Sequence, residues 1–255
     1  MAAGYTQRLI KTPTFSPDCA RKMNTLFTSL SALAVACVTG LTYAQAPAPA
    51  AAPQQKTAAP AAGASSINAK VAMCIGCHGI KGYQASFPEV YKVPMISGQS
   101  AKYIASALTA YKNGDRKHPT MRGIAISLSE QDINDIAAYY EAHGKEDGKP
   151  LPDKPKDPSP QVAGLLQKAA CSSCHGANFA KPIDPSYPKI AGQHADYLFV
   201  ALKSYKVDNN ASVGRNNGVM GAIAKQFSNA ELKALATYVG SIEGDLKVKP
   251  ESKFR

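Results

Sequence analysis

The chain has 255 residues, enough for one or two domains with a real core. Lys and Arg number 29 against 18 Asp and Glu, a formal charge of +11 that suits a nucleic acid or an acidic protein surface and selects neither. Hydrophobic residues at 45% with 18% charged exclude a highly charged disordered chain, six cysteines are too few for a disulfide scaffold, and no apolar run in the body reaches the roughly 18 residues of a membrane span.

Arg21-Lys22-Met23-Asn24 leads into an apolar stretch from Leu26 to Tyr43 that ends in Thr42-Tyr43-Ala44. A basic start, an apolar middle and a small-residue cleavage site predict a secretory signal peptide, cut after Ala44. Met23 is the better start, since a signal does not need residues 1–22. Two alternatives are a lipidated Cys37, in Ala34-Val35-Ala36-Cys37, and an uncleaved signal that anchors the chain. Residues 45–64 are almost all Ala and Pro and predict an extended tether.

Everything after residue 64 is a repeat. Cys74-Ile75-Gly76-Cys77-His78 returns as Cys171-Ser172-Ser173-Cys174-His175, and Pro94-Met95-Ile96-Ser97-Gly98-Gln99 as Pro188-Lys189-Ile190-Ala191-Gly192-Gln193. Tyr103, Leu108 and Tyr111 match Tyr197, Leu202 and Tyr205. Two homologous domains follow, at 65–149 and 161–255, joined by a stiff Pro-rich linker at 150–160. Each repeat predicts three helices. The first carries the Cys pair, and the second has one face on Tyr103, Ile104, Ala107, Leu108 and Tyr111, or on Tyr197, Leu198, Ala201, Leu202 and Tyr205. The third opens at Ser129 or Ser228 with capping-box spacing and buries Ile133, Ile136, Ala137 and Tyr140, or Leu232, Leu235, Ala236 and Val239. No alternating run predicts a substantial sheet, so the fold class is all-α.

C-x-x-C-H is the attachment signature of c-type haem. Its two thiols, Cys74 and Cys77 or Cys171 and Cys174, reach two vinyl groups of one porphyrin edge, and the following histidine, His78 or His175, meets the iron. A zinc site needs about four ligands per metal, and a thioredoxin-like pair needs a βαβ setting; neither is offered here. The motif predicts two covalent haems. A methionine is most often core filler. Met121 and Met220, however, stand at matched places before the last helix of domains that each need a sixth iron ligand, and they are assigned that role. Met95 competes, but its counterpart is Lys189, and His118 competes with no histidine opposite it. His143 and His194 read as solvated. The carbonyls of Pro94 and Pro188 are placed to accept from the non-ligating nitrogen of His78 and His175 and so fix the tautomer. A thioether on iron raises the potential and fills the shell, which suits electron transfer rather than oxygen or peroxide chemistry.

These motifs, CIGCHG and CSSCHG, the two P-x-I-x-G-Q loops, and the stretches MRGIAISLSEQDINDIAAYY and MGAIAKQFSNAELKALATYV, resemble the dihaem cytochrome c4 family from about residue 65 to 255. The resemblance implies two class I cytochrome c domains related by a pseudo-two-fold axis, with haem propionate edges facing across the interface. It also implies a periplasmic, non-enzymatic carrier that takes electrons from a membrane cytochrome bc complex or a dehydrogenase and passes them to a terminal haem-copper oxidase. The alternative is a haem subunit of a periplasmic dehydrogenase acting on sulfide, an alcohol or a similar substrate. The lysines are scattered without an aromatic-basic surface motif, so no nucleic-acid role is expected. Cleavage leaves about +8, a charge suited to docking on acidic rims of redox partners, with transient or peripheral membrane contact.

Overall fold

The computed structural model describes residues 66–145 and 150–250. The signal peptide and tether lie outside the described residues. In the first repeat α1 (Ile67–His78), α2 (Ala101–Asn113), α3 (Pro119–Ala125) and α4 (Glu130–His143) surround one core. The second repeat has α5 (Pro160–Ala169), α6 (Ser172–His175), α7 (Ala195–Ser204), α8 (Gly218–Ala224) and α9 (Asn229–Ser241). The expected three helices per repeat are all present, and each repeat adds a short one, α3 or α8, that carries the methionine. A second difference lies in the first helix of the second repeat. There the chain turns through a left-handed Ala170 (φ 47°), so α5 ends before the cysteine pair and α6 restarts on it.

The helix starts follow from their caps. Ser129 Oγ accepts the Asp132 N–H at 3.1 Å while the Asp132 carboxylate accepts the Ser129 N–H at 3.1 Å. Ser228 and Glu231 repeat the exchange at 3.3 and 2.7 Å. Two orphan donors of each last helix are thereby satisfied. Pro160 belongs to α5 rather than to the linker: Ser159 caps that helix, and proline loses nothing at a first-turn position whose N–H has no intrahelical acceptor. The rest of the linker packs on the second domain, where the Pro152 carbonyl accepts from Asn178 Nδ2 at 3.1 Å and the Lys156 carbonyl from the Tyr238 hydroxyl at 2.8 Å.

Periodicity selected the core faces. Ile133, Ile136, Ala137 and Tyr140 of α4 and Leu232, Leu235, Ala236 and Val239 of α9 are all buried. From α2 only Ile104 and Leu108 sink into the core, while Tyr103, Ala107 and Tyr111 of the same face line a cavity. Apart from one isolated bridge between Ser97 and Lys247, strand pairing is limited to two short antiparallel ladders among the described residues. One, β1 (Gln84–Ala85) with β2 (Tyr91–Lys92), is local. The other joins the repeats, pairing β3 (Arg116–Lys117) with β4 (Gly214–Arg215).

In the first repeat α1 is tied to α4 by Lys70, whose Nζ lies 2.8 Å from Asp132 and 2.5 Å from Asp135. The Lys70 ammonium holds both carboxyls below their ordinary range, and Ser129 and Gln131 add hydrogen bonds to them. A depressed carboxylate contributes stability above its unfolded pKa of about 3.9 and loses it as pH falls through the folded value. Lys70→Met should therefore lower the thermal midpoint at neutral pH. The gap to wild type should close as pH is taken below 4, read by circular dichroism across a pH series.

Candidate functional site

Both repeats open onto one continuous cavity of about 830 Å³. All of the residues singled out by sequence line it: Cys74, Cys77, His78, Pro94 and Met121 from the first repeat, and Cys171, Cys174, His175, Pro188 and Met220 from the second. The remaining wall is largely apolar, from Ile104, Leu108 and Ile136 on one side and Leu198, Leu235 and Val239 on the other. The four cysteines are half-buried, and among the described residues none is paired in a disulfide. Among the described residues no group of three or more His, Cys, Asp and Glu side chains is placed to hold a bare metal ion.

The histidines are prepared alike. His78 Nδ1 lies 2.8 Å from the Pro94 carbonyl and His175 Nδ1 2.9 Å from the Pro188 carbonyl. Because a carbonyl only accepts, each Nδ1 must carry the proton, which leaves Nε2 with a free lone pair. Burial pushes both imidazoles below the ordinary histidine pKa, and the carbonyl contact only partly opposes it. That shift favours the neutral ring, which is the form that binds a metal.

The methionine helices are matched by their caps rather than by their composition. His118 Nδ1 accepts the Met121 N–H at 3.4 Å, and Asn217 Oδ1 accepts the Met220 N–H at 2.9 Å. His118 Nε2 lies 3.0 Å from the Tyr91 hydroxyl, so both its ring nitrogens are engaged within the protein. Its counterpart in the second repeat is the other capping residue, Asn217. Met95 also lines the cavity, and its backbone is bound by Gln193 at both the N–H and the carbonyl. The remaining histidines are not free in solvent. His143 is half-buried, stacked on Tyr139 at 5.0 Å and 3.1 Å from Ser97 Oγ, and His194 is a half-buried cap of α7.

Sequence reasoning gave no role to a cluster where the two repeats meet. Arg116 and Arg215, half-buried on paired strands, line the cavity among Tyr103, Tyr111, Tyr197 and Tyr205. Both guanidiniums donate to the Tyr197 hydroxyl, at 3.3 and 3.1 Å, and Arg116 also to Tyr103 at 3.2 Å. Arg116 sits 4.6 Å from the centre of the Tyr111 ring and Arg215 5.4 Å from that of Tyr205. Among the described residues neither guanidinium pairs with a carboxylate, and Arg116 Nε is buried without a partner. Burial pushes the Tyr197 hydroxyl up, but the Arg215 and Arg116 charges outweigh it and hold it at about 8. A signal was present: the offset of 99 that aligns Met121 with Met220 also aligns Arg116 with Arg215. Two cations facing an apolar cavity call for an anionic group inside it, so the cavity fits a large apolar molecule with acidic substituents.

The sequence profile of the cytochrome c family matches twice, at residues 60–142 and 162–243. Cytochrome c4 of Thiocapsa roseopersicina is 32% identical over 184 residues, 71% of this chain and 91% of that protein. A thiosulfate dehydrogenase electron acceptor of Thiomonas intermedia is 29% identical over 182 residues, 68% of this chain and 79% of that protein. Among solved structures, reduced recombinant cytochrome c4 of Pseudomonas stutzeri superposes with a TM-score of 0.51 at 26% identity, over 72% of this chain and all of that one. With two matched cavity walls, two C-x-x-C-H motifs and two family matches, the chain belongs to the cytochrome c family as a dihaem protein of the cytochrome c4 type, an electron carrier with two covalent c-type haems rather than an enzyme.

Proposed function

We propose that Cys74 and Cys77 would hold haem 1, with His78 and Met121 as its iron ligands, and that Cys171 and Cys174 would hold haem 2, with His175 and Met220. One observation carries this reading: the same His-to-Pro-carbonyl bond and the same capped methionine helix occur in both repeats on the wall of one cavity. The haem supplies one-electron redox chemistry when bound. The protein points each imidazole's Nδ1 at a proline carbonyl, brings a soft thioether to the same cavity, and excludes water with an aliphatic lining. Arg116 and Arg215 are the partners for haem propionates, the anionic groups that the cavity lacks. The domains run over 65–149 and, with Pro160 included, 160–255, and the chain works in the periplasm after signal cleavage, with membrane tethering through an uncleaved or lipidated leader as the other arrangement.

The acceptor in this reading is a membrane terminal haem-copper oxidase, with a cytochrome bc complex or a dehydrogenase as donor. A second reading makes the chain the electron-accepting partner of a periplasmic dehydrogenase, and the named role of the Thiomonas intermedia relative supports it. Spectroelectrochemical titration of the purified holoprotein, paired with pull-down from solubilised membranes and the soluble periplasmic fraction, tests both. Two low-spin His/Met haems and an oxidase in the pull-down support the first reading; a captured soluble dehydrogenase that reduces the protein supports the second. A high-spin haem overturns the ligand assignment.

A further inference from the structure

Each proximal histidine is held by a peptide group that the opposite domain also grips. The Pro94–Met95 peptide accepts from His78 at its oxygen, and its N–H donates to Gln193 Oε1 at 3.0 Å. The Pro188–Lys189 peptide accepts from His175, and its N–H donates to Gln99 Oε1 at 3.0 Å. The glutamines complete the exchange through Nε2, which donates at 2.9 Å to the Met95 carbonyl from Gln193 and at 2.9 Å to the Lys189 carbonyl from Gln99. Each Oε1 takes a second N–H, from His194 or Ser100, at 3.0 Å. Both side chains are only 4% exposed, so their amides are satisfied inside the protein and fixed in orientation.

The loops are shaped for this crossing. Gly98 and Gly192 precede the glutamines with φ of 88° and 70°, in the left-handed region. A Cβ on Gly98 would stand 2.8 Å from the Asp245 carbonyl oxygen, so a side chain there would push the loop off its neighbour.

If these glutamines only clasped the domains together, any exposed backbone group of the facing loop would serve. The group used in both directions is instead the one whose oxygen meets the histidine. Hydrogen bonds in series polarise each other, by roughly 10–30% per bond. An acceptor on the N–H places more negative charge on the same peptide's oxygen. That oxygen pulls harder on the imidazole Nδ1–H and makes Nε2 a stronger donor.

We infer that Gln193 and Gln99 are positioning residues that act across the domain boundary, Gln193 tuning haem 1 through His78 and Gln99 tuning haem 2 through His175. This rests on the iron ligation by His78 and His175 proposed above. A more basic imidazole favours the oxidised iron, so each glutamine lowers the potential of the haem in the other domain. Docking of the two domains thus becomes part of what sets both potentials.

The test uses the full-length holoprotein with Gln193→Met and Gln99→Met, following each haem separately by its resolved NMR signals during a redox titration. Gln193→Met should shift haem 1 toward the reduced form by about threefold, about 30 mV at 59 mV per tenfold, and move haem 2 less. Gln99→Met should do the reverse. Ser100→Ala removes a neutral bond between the domains, Ser100 Oγ to the Pro185 carbonyl at 2.5 Å, and should leave both potentials in place. Gln193→Glu, which keeps an acceptor and adds charge, should lower haem 1 and guards against a variant that fails to dock. A shift confined to the haem of the glutamine's own domain, equal shifts in both haems, shifts matched by Ser100→Ala, or no shift would overturn the inference. A wild-type spectrum without His/Met ligation overturns the site assignment itself; intact ligation with unmoved potentials overturns only the tuning.

Discussion

Replacing Met220 with alanine is expected to make the second haem high-spin in its ferric form and to abolish its thioether-to-iron charge-transfer band, leaving the first haem as it was. Methionine on iron stabilises the ferrous state through a soft, weakly donating sulfur. Its loss opens a position to water and should lower that haem's potential on the order of 0.2 V, within the roughly 0.8 V that axial ligands command. The mirror variant Met121→Ala should do the same to the first haem alone. Met95→Leu supplies the contrast. Met95 shares the cavity wall, but its part in the site runs through its backbone, which Gln193 holds. The ferric spectrum of Met95→Leu should therefore stay low-spin. Electron paramagnetic resonance of the three variants decides the matter, and a low-spin Met220→Ala would remove Met220 from the iron.

Neutralising one guanidinium at the meeting of the repeats should move both haems together. Arg116→Leu takes a positive charge from a cavity wall shared by the two sites. Nearby positive charge disfavours the oxidised iron, so its removal lowers both potentials. Two unit charges about 10 Å apart at an effective dielectric of 20 interact by about 1.7 kcal/mol, and partial screening reduces this to an expected three- to tenfold change in each reduction equilibrium. Arg116→Lys keeps the charge and should give a much smaller shift. Redox titration of wild type and both variants checks this, and unmoved potentials in Arg116→Leu would remove the arginine from both sites.

The repeat offset aligns Arg116 with Arg215, but nothing in the sequence gave that match a role, for a physical reason. Arg116 and Arg215 lie outside the helical faces that periodicity detects, on two-residue strands whose pairing partner is in the other repeat. His118 and Asn217 are unlike side chains at matched positions. They cap equivalent helices because each offers an acceptor to the N–H three residues on. A comparison by residue identity passes over that equivalence, whereas a comparison by hydrogen-bonding capacity finds it.

The cysteine pairs, their following histidines, the matched methionines and the buried faces of α4 and α9 were determined by sequence alone. Covalent haem attachment requires particular atoms at short spacing, and an amphipathic helix must repeat its apolar residues at its own period. The tertiary structure decided how the repeats combine. Gln99 and Gln193 stand at the same place in each repeat, yet only the folded chain reveals that each binds the peptide group against which the other repeat's histidine rests. Contacts of that kind join residues nearly a hundred positions apart, and no local pattern encodes them. The composition with which the chain is first met has the same division. Its positive charge was countable at once, but the two guanidiniums on the cavity wall were separated from the solvent-facing lysines only by the packing of one domain on the other.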